Sequence, residues 1–193
     1  MINALAGLFY LLNKIFFACA EISKGGKRGW EKRFKISAWV TYIIGLGPWL
    51  IVFSQTDDWI AFWVELAGLP SMVLGLINSI RNRDQEEPTW LVYVALFITA
   101  IGCLISFQVL NGFHEFTQLL EFVLAIGFLG GTFLLCRKNP IVEGYLCFVV
   151  MNASNAWLQS IRGNDLLMKQ QTFSLTIMLF VYWLTQWRRW KRR

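Results

Sequence analysis

Three carboxamide side chains fall on one side of an apolar stretch in the last quarter of the chain. Asn152, Asn155 and Gln159 stand within a largely apolar run that begins at Gly144. At about 100° per helical residue, offsets of three and seven place these amides within roughly 60° of each other. An amide without a partner is costly in hydrocarbon. The stripe therefore predicts either a contact with a neighbouring helix or the wall of a polar cavity.

Tryptophans near these amides extend the chemistry that a cavity could perform. In a cavity, the amides would hydrogen-bond hydroxyl or carboxamide groups of a ligand, while Trp157 would stack on a planar ring. Trp183 and Trp187 share one face of the last apolar segment. Trp183 is the deeper stacking candidate, whereas Trp187 also fits an aromatic belt at the membrane interface. A cationic aromatic ring would gain cation–π attraction from such side chains.

Two acids and two prolines interrupt other apolar runs. Glu65 and Glu121 are candidates for carrying protons or attracting a cationic substrate, and the alternative is a snorkelling or helix-bonded carboxylate. Pro48 and Pro70 stand at comparable depth in the second and third segments. A proline frees a carbonyl and bends a helix, so each marks either a gating hinge beside a site or a structural kink.

The composition predicts an integral membrane protein. Of 193 residues, 56% are hydrophobic and only 16% are charged, which is too apolar for a soluble domain of this length. The net charge of +6 does not indicate nucleic-acid binding, because the basic residues stand between apolar blocks. We find no phosphate-binding glycine loop, catalytic triad or metal-ligand spacing, so we expect no enzyme activity, cofactor or metal. The four cysteines are interpreted as small apolar packing residues and His114 as a solvated loop residue.

Seven apolar segments are each long enough to cross a bilayer as a helix. They are Met1–Ala20, Ile36–Ser54, Trp59–Ile80, Trp90–Leu110, Thr117–Cys136, Pro140–Ser160 and Met168–Trp187. Helices are favoured over a barrel because the segments lack period-two alternation. The first segment is the weakest, since Asn3, Asn13 and Lys14 interrupt it. Its end, Ala18-Cys19-Ala20, is similar to a signal-peptidase site, but the basic stretch that follows favours a retained helix.

The charges of the loops alternate along the chain. The stretch from Lys24 to Lys35, the pair Arg137-Lys138 and the tail from Arg188 are basic, whereas Asp57-Asp58 is acidic. Basic loops remain in the cytoplasm, which predicts an outside N-terminus and a cytoplasmic C-terminus in a bacterial inner (plasma) membrane. That arrangement needs an odd number of crossings, in agreement with the seven segments.

Short loops leave room for a single membrane domain over residues 1–193. A three-helix unit ends on the opposite side of the membrane from its start, so a second parallel unit needs a linker crossing. We therefore expect an all-α protein with a three-helix bundle over 1–80, a linker helix over 90–110 and a second bundle over 115–190. The lipid bilayer is the expected environment, and a homo-oligomer is left open.

Several residues of the second half resemble the second repeat of PnuC-type vitamin transporters. These are Arg137-Lys138, Glu143, Asn152 and the closing Tyr182-Trp183-Leu-Thr-Gln-Trp187, with Trp183 31 residues after Asn152. The resemblance covers roughly residues 117–190 and the three-plus-one-plus-three plan, which is SWEET-like. In the second segment, Gly47-Pro48-Trp49 stands where the first repeat would carry a matching asparagine.

The resemblance implies a function for the chain. It implies facilitated transport of nicotinamide riboside, thiamine or riboflavin by alternating access, with intracellular phosphorylation sustaining net flux. The implied substrate-binding residues are Asn152, Asn155, Trp157, Gln159, Tyr182, Trp183 and Trp187. Two alternatives remain: a non-transporting subunit or sensor whose amide stripe docks a partner helix, and a proton-coupled carrier using Glu65 or Glu121. Whether the stripe faces an internal cavity or a protein contact separates the first alternative from transport.

Overall fold

The protein is all-helical over the residues that the structure describes. The structure, a computed structural model, describes residues 2–24, 29–55, 59–81, 85–109 and 115–191. Seven helices form there: α1 (Ile2–Ile22), α2 (Trp30–Gln55), α3 (Trp59–Ile80), α4 (Thr89–Val109), α5 (Phe116–Cys136), α6 (Glu143–Ile161) and α7 (Asp165–Trp190). The predicted loop residues Lys27, Arg28, Asp57, Asp58 and His114, with Leu110 and the last two arginines, Arg192 and Arg193, lie outside the described residues.

The helices extend past the apolar segments where polar residues cap them. The last helix begins at Asp165, three residues before the apolar run, because the Asn164 side chain accepts a hydrogen bond from the Leu167 amide at 3.4 Å. Just before this cap, Gly163 has a φ of 69°, which turns the chain out of α6. At the other end, α7 continues to Trp190. Apolar runs therefore locate the crossings, while caps set the helix ends.

Six helices pack in a closed ring. The neighbours in order are α1, α2, α3, α5, α6 and α7, and α7 packs back against α1. Helix α4 lies outside this ring, against α3 and α5. Around the ring, α5, α6 and α7 follow one another in the same order as α1, α2 and α3. Half a turn of the ring therefore exchanges the two sets of three helices without changing which helices are neighbours. The arrangement is that of two three-helix units joined by a linker helix.

The outer surface of the ring is apolar. Helices α1, α2, α3 and α5 are long and apolar enough to cross a membrane by length and composition. On α4, Trp90, Tyr93 and Phe97 are each about two-thirds exposed. A soluble monomer rarely exposes so much contiguous apolar surface. We conclude that the chain is a helical membrane protein.

The polar residues that weaken the first apolar segment face the interior of the ring. Asn13 and Lys14, together with Glu21 just beyond the segment, are at most 1% exposed, although their helix has the weakest apolar segment in the sequence. Asn13 donates to the Ala38 carbonyl oxygen on α2 at 2.9 Å. Asn13, Lys14 and Glu21 therefore form an inward-facing polar stripe, and α1 is a full member of the ring.

Candidate functional site

A cavity of about 100 Å³ lies inside one end of the ring. All six ring helices contribute to its wall, and at this end α3, α5 and α7 begin while α2 and α6 end. The alternating loop charges predict that this is the outer end. The lining residues are Tyr10, Trp49, Phe53, Ala61, Val64, Glu65, Glu121, Leu124, Ala125, Asn155, Leu158, Gln159, Arg162 and Gln171.

The floor of the cavity combines a carboxylate with aromatic rings. The Tyr10 hydroxyl on α1 donates a hydrogen bond to Glu65 Oε2 on α3. The Trp49 ring lies 5.5 Å from the Tyr10 ring, centroid to centroid, and stacks on Phe53 at 5.2 Å with an interplanar angle of 19°. These rings give a planar ligand two aromatic surfaces next to a negative charge.

The wall of the cavity carries amides and an ion pair. Gln159 Nε2 donates to Asn155 Oδ1 at 3.1 Å, because residues four apart lie on the same helix face. Arg162, just past the end of α6, forms an ion pair with Glu121 on α5. Gln171 of α7, 5% exposed, faces them across the cavity. Two of the three predicted stripe residues and both predicted acids thus meet in one cavity.

The third stripe residue lies deeper. Asn152 is 1% exposed, and its Nδ2 donates to the Phe148 carbonyl oxygen of its own helix at 2.6 Å. Its Oδ1 accepts no hydrogen bond from any described residue. Asn152 therefore belongs to the closed layer below the cavity, one helical turn from Asn155.

The structure does not bring the predicted aromatic residues to Asn155 and Gln159. Trp157 is 59% exposed and packs edge-on against Phe116, with ring centroids 5.0 Å apart. Trp183 is 61% exposed and stacks on Trp187, which is itself 40% exposed. Both pairs lie on the lipid-facing side of the ring, because helical spacing groups residues on a face without determining where that face points.

Three further predicted residues occupy supporting positions. Tyr182 is half-buried and packs against the hydrophobic core. Pro48 and Pro70 both lie inside their helices, α2 and α3, which continue on either side. Pro48 directly precedes the floor residue Trp49, so a bend at this proline would act on the aromatic floor.

A closed layer separates this cavity from a second one. In the layer, Lys14 Nζ lies 4.0 Å from the centroid of the Phe148 ring and 4.9 Å from that of Tyr42. The second cavity, of about 60 Å³, lies toward the opposite end of the ring, and Phe17, Trp39 and Tyr145 are among its lining residues. The ring interior is thus a cavity, a closed layer and another cavity in sequence.

The second cavity is lined by basic residues, two of which bond to one carboxylate. Of its basic lining residues, Arg137 Nε bonds Glu87 Oε2 at 3.0 Å, and Lys138 donates its backbone amide to the same carboxylate. Tyr145, also in the lining, donates its hydroxyl to Glu21 Oε1 at 2.8 Å. These contacts join the ends of several helices at this side of the ring.

The floor residues Tyr10 and Trp49, and the wall residues Arg162 and Gln171, were not predicted from the sequence. Tyr10 had a usable signal, because it precedes Lys14 by four residues and shares its helix face. The described residues contain no group of three or more His, Cys, Asp or Glu side chains placed to hold a metal ion. Comparisons with family models, curated proteins and solved structures give no match.

Proposed function

We propose that this protein is a facilitator that carries a small nucleoside-like vitamin, such as nicotinamide riboside or thiamine, across a bacterial inner membrane. One observation carries the proposal: two cavities at opposite ends of a single helix ring, with one closed layer between them. Alternating access requires a site that opens to one side at a time. Rocking of one three-helix unit against the other would close the first cavity while it opens the second.

The lining of the first cavity supports a ring-bearing polar solute. Trp49 and Phe53 present aromatic faces, and Asn155, Gln159 and Gln171 present amide donors and acceptors for hydroxyl or carboxamide groups. Glu65 would attract a pyridinium or thiazolium cation. The resemblance of the second half to PnuC-type transporters implies that the solute is a vitamin and that intracellular phosphorylation traps it inside the cell.

The position of the amides favours transport over docking of a partner helix. A docking stripe would lie on the outside of the bundle, whereas Asn155 and Gln159 line an internal cavity. A small solute can reach them there, and a helix cannot.

Uptake into liposomes tests the proposal. Purified protein in vesicles should take up labelled nicotinamide riboside, thiamine or riboflavin with saturation. Gln159→Leu removes one hydrogen-bonding side chain worth about 1 kcal/mol, so we expect about fivefold weaker uptake. The adjacent Ser160, which is exposed and absent from the cavity lining, supplies the matched control Ser160→Ala with unchanged uptake. Failure of all three vitamins to enter would sink the proposal.

An imposed pH gradient separates the facilitator from a proton-coupled carrier. Glu65 lies in the cavity and accepts the Tyr10 hydroxyl, so it is the carboxylate that an entering proton would reach. A facilitator takes up solute equally with and without the gradient. Gradient-driven accumulation that disappears in Glu65→Gln would instead assign the protein to the proton-coupled class.

A further inference from the structure

Three hydrogen-bond donors beneath the cavity floor have no acceptor. Lys14 Nζ, the Tyr42 hydroxyl and Trp49 Nε1 are buried, and none of them bonds to any residue in the described ranges. All three surround one ring: Tyr42 and Trp49 contact Tyr10 at 5.1 and 5.5 Å, and Lys14 Nζ lies 5.9 Å from its centroid. A buried donor without a partner is costly, and a buried ammonium more so.

These donors define the chemistry of a ligand that would satisfy them. Three unpartnered donors around the Tyr10 side chain, one of them a cation, match the lone pairs and charge of a carboxylate. The faces of Tyr42 and Phe148 stabilise the ammonium only in part, since cation–π attraction is weaker than a charge-assisted hydrogen bond. Asn13 Oδ1 and Asn152 Oδ1, which are buried and accept no hydrogen bond from the described residues, add places for a neutral donor.

The Glu65 carboxylate, to which Tyr10 is hydrogen-bonded, sets a second requirement for the ligand. Glu65 accepts the Tyr10 hydroxyl from the cavity side, while Lys14 lies against the ring of the same tyrosine. A lone carboxylate entering this region would leave two negative charges against one positive charge. A ligand with a cation for Glu65 and a carboxylate for Lys14 keeps the interior neutral, which a low-dielectric site strongly favours.

We propose that Lys14 is the carboxylate-binding half of the solute site and that the solute is a small zwitterion with a cationic ring. This inference rests on the proposed function and narrows it, because nicotinamide riboside and thiamine carry the cation but no carboxylate; the preferred solute is a carboxylate-bearing member of the same class. When the cationic ring approaches Glu65, it competes with the Tyr10 hydroxyl for the carboxylate. Released from Glu65, the Tyr10 ring moves from the floor and uncovers Lys14 and Tyr42, next to the lining residue Trp49, for the carboxylate of the solute.

Two N-methylpyridinium probes that differ in one group test this inference. N-methylnicotinate is a zwitterion, and N-methylnicotinamide is the same cation with a neutral carboxamide. We expect wild-type protein in detergent to bind the acid at least tenfold more tightly than the amide by titration calorimetry. Lys14→Met should remove that preference, because it should weaken the binding of the acid and leave the binding of the amide unchanged. Glu65→Gln should weaken both probes, because both carry the cation.

Two further variants control the test. Tyr42→Phe deletes only a hydroxyl and should weaken the acid several-fold, which keeps the inference testable if Lys14→Met does not fold. Lys169→Met removes an exposed lysine near the start of α7 and should match wild type. Equal affinity for acid and amide in wild type, or no binding of either probe, overturns the inference. Vitamin uptake by a protein that binds neither probe would leave the transport proposal intact.

Discussion

The Tyr10 side chain lies next to two charged groups at the centre of the helix ring, the Glu65 carboxylate and the Lys14 ammonium. Its hydroxyl on α1 donates a hydrogen bond to the Glu65 carboxylate on α3, and the Lys14 Nζ lies 5.9 Å from the centroid of its aromatic ring. Either charge alone in a membrane interior would be unfavourable, whereas the two together are compensated. We therefore expect the two residues to depend on each other energetically although no direct salt bridge joins them.

A double-mutant cycle measures that dependence. Lys14→Met and Glu65→Gln should each destabilise the protein, because each leaves the other charge buried without compensation. The double variant should be more stable than the sum of the two changes predicts, by about 1–3 kcal/mol. The free energy of unfolding in detergent is the readout. Lys169→Met combined with Glu65→Gln is the matched control and should be additive; additivity in the Lys14 cycle as well would contradict the coupling.

At the scale of helices, α5 and α6 approach each other through glycines. A Cβ atom built on Gly127 would lie 2.9 Å from the Cys147 carbonyl oxygen, and one on Gly131 would lie 3.1 Å from the Gly144 carbonyl oxygen. Close backbone approach through small residues is a common way for membrane helices to associate. The neighbouring Gly130 has room for a Cβ atom, which would make only an ordinary contact with Cys147 Sγ at 3.9 Å.

The glycine contacts predict opposite effects for two neighbouring substitutions. Gly127→Ala should destabilise the protein by about 1–3 kcal/mol, because the contacted atom is rigid backbone and α5 must move away from α6. Gly130→Ala should be neutral or stabilise by up to about 1 kcal/mol through helix propensity. Thermal unfolding in detergent compares them. Equal effects of the two alanines would show that close packing at Gly127 does not hold this pair of helices together.

The helices were more predictable than the directions of their faces. Continuous apolar runs locate each crossing, and α3 begins and ends at the residues that the sequence predicts, Trp59 and Ile80. The same reasoning placed Asn155 and Gln159 correctly on one face. It could not orient Trp157 or Trp183, because whether a face points to lipid or to the interior depends on the neighbouring helices.

The residues at the centre of the site could not be predicted from the sequence, for a related reason. In the sequence, Asn13 and Lys14 appear as defects in an apolar segment, because hydropathy averages over all faces of a helix. Only the closed ring, in which α7 returns to α1, gives those side chains an interior to face. Trp49 was likewise hidden, since an apolar residue in an apolar helix carries no polar signal.

For the whole molecule, basic side chains tie several helices together at one end of the ring. Lys32 Nζ donates to the Ile80 carbonyl oxygen at 2.6 Å, joining α2 to α3, and Arg188 donates to the Glu21 carbonyl oxygen, joining α7 to α1. The Arg137–Glu87 pair lies at the same end, beside the second cavity. Clustered basic residues favour the cytoplasmic side. The first cavity should therefore open to the outside.

Cysteine labelling tests this orientation. In a variant without the native cysteines, Asp165→Cys marks the end of the ring that holds the first cavity, and Glu86→Cys marks the basic end; both native side chains are exposed. A membrane-impermeant maleimide should label Asp165→Cys in intact cells and Glu86→Cys only after permeabilisation, because basic loops favour the cytoplasmic side of a membrane. The reverse pattern would turn the Glu65 cavity toward the cytoplasm. In that case the resting protein would be poised for export or for release of solute, rather than for capture from outside.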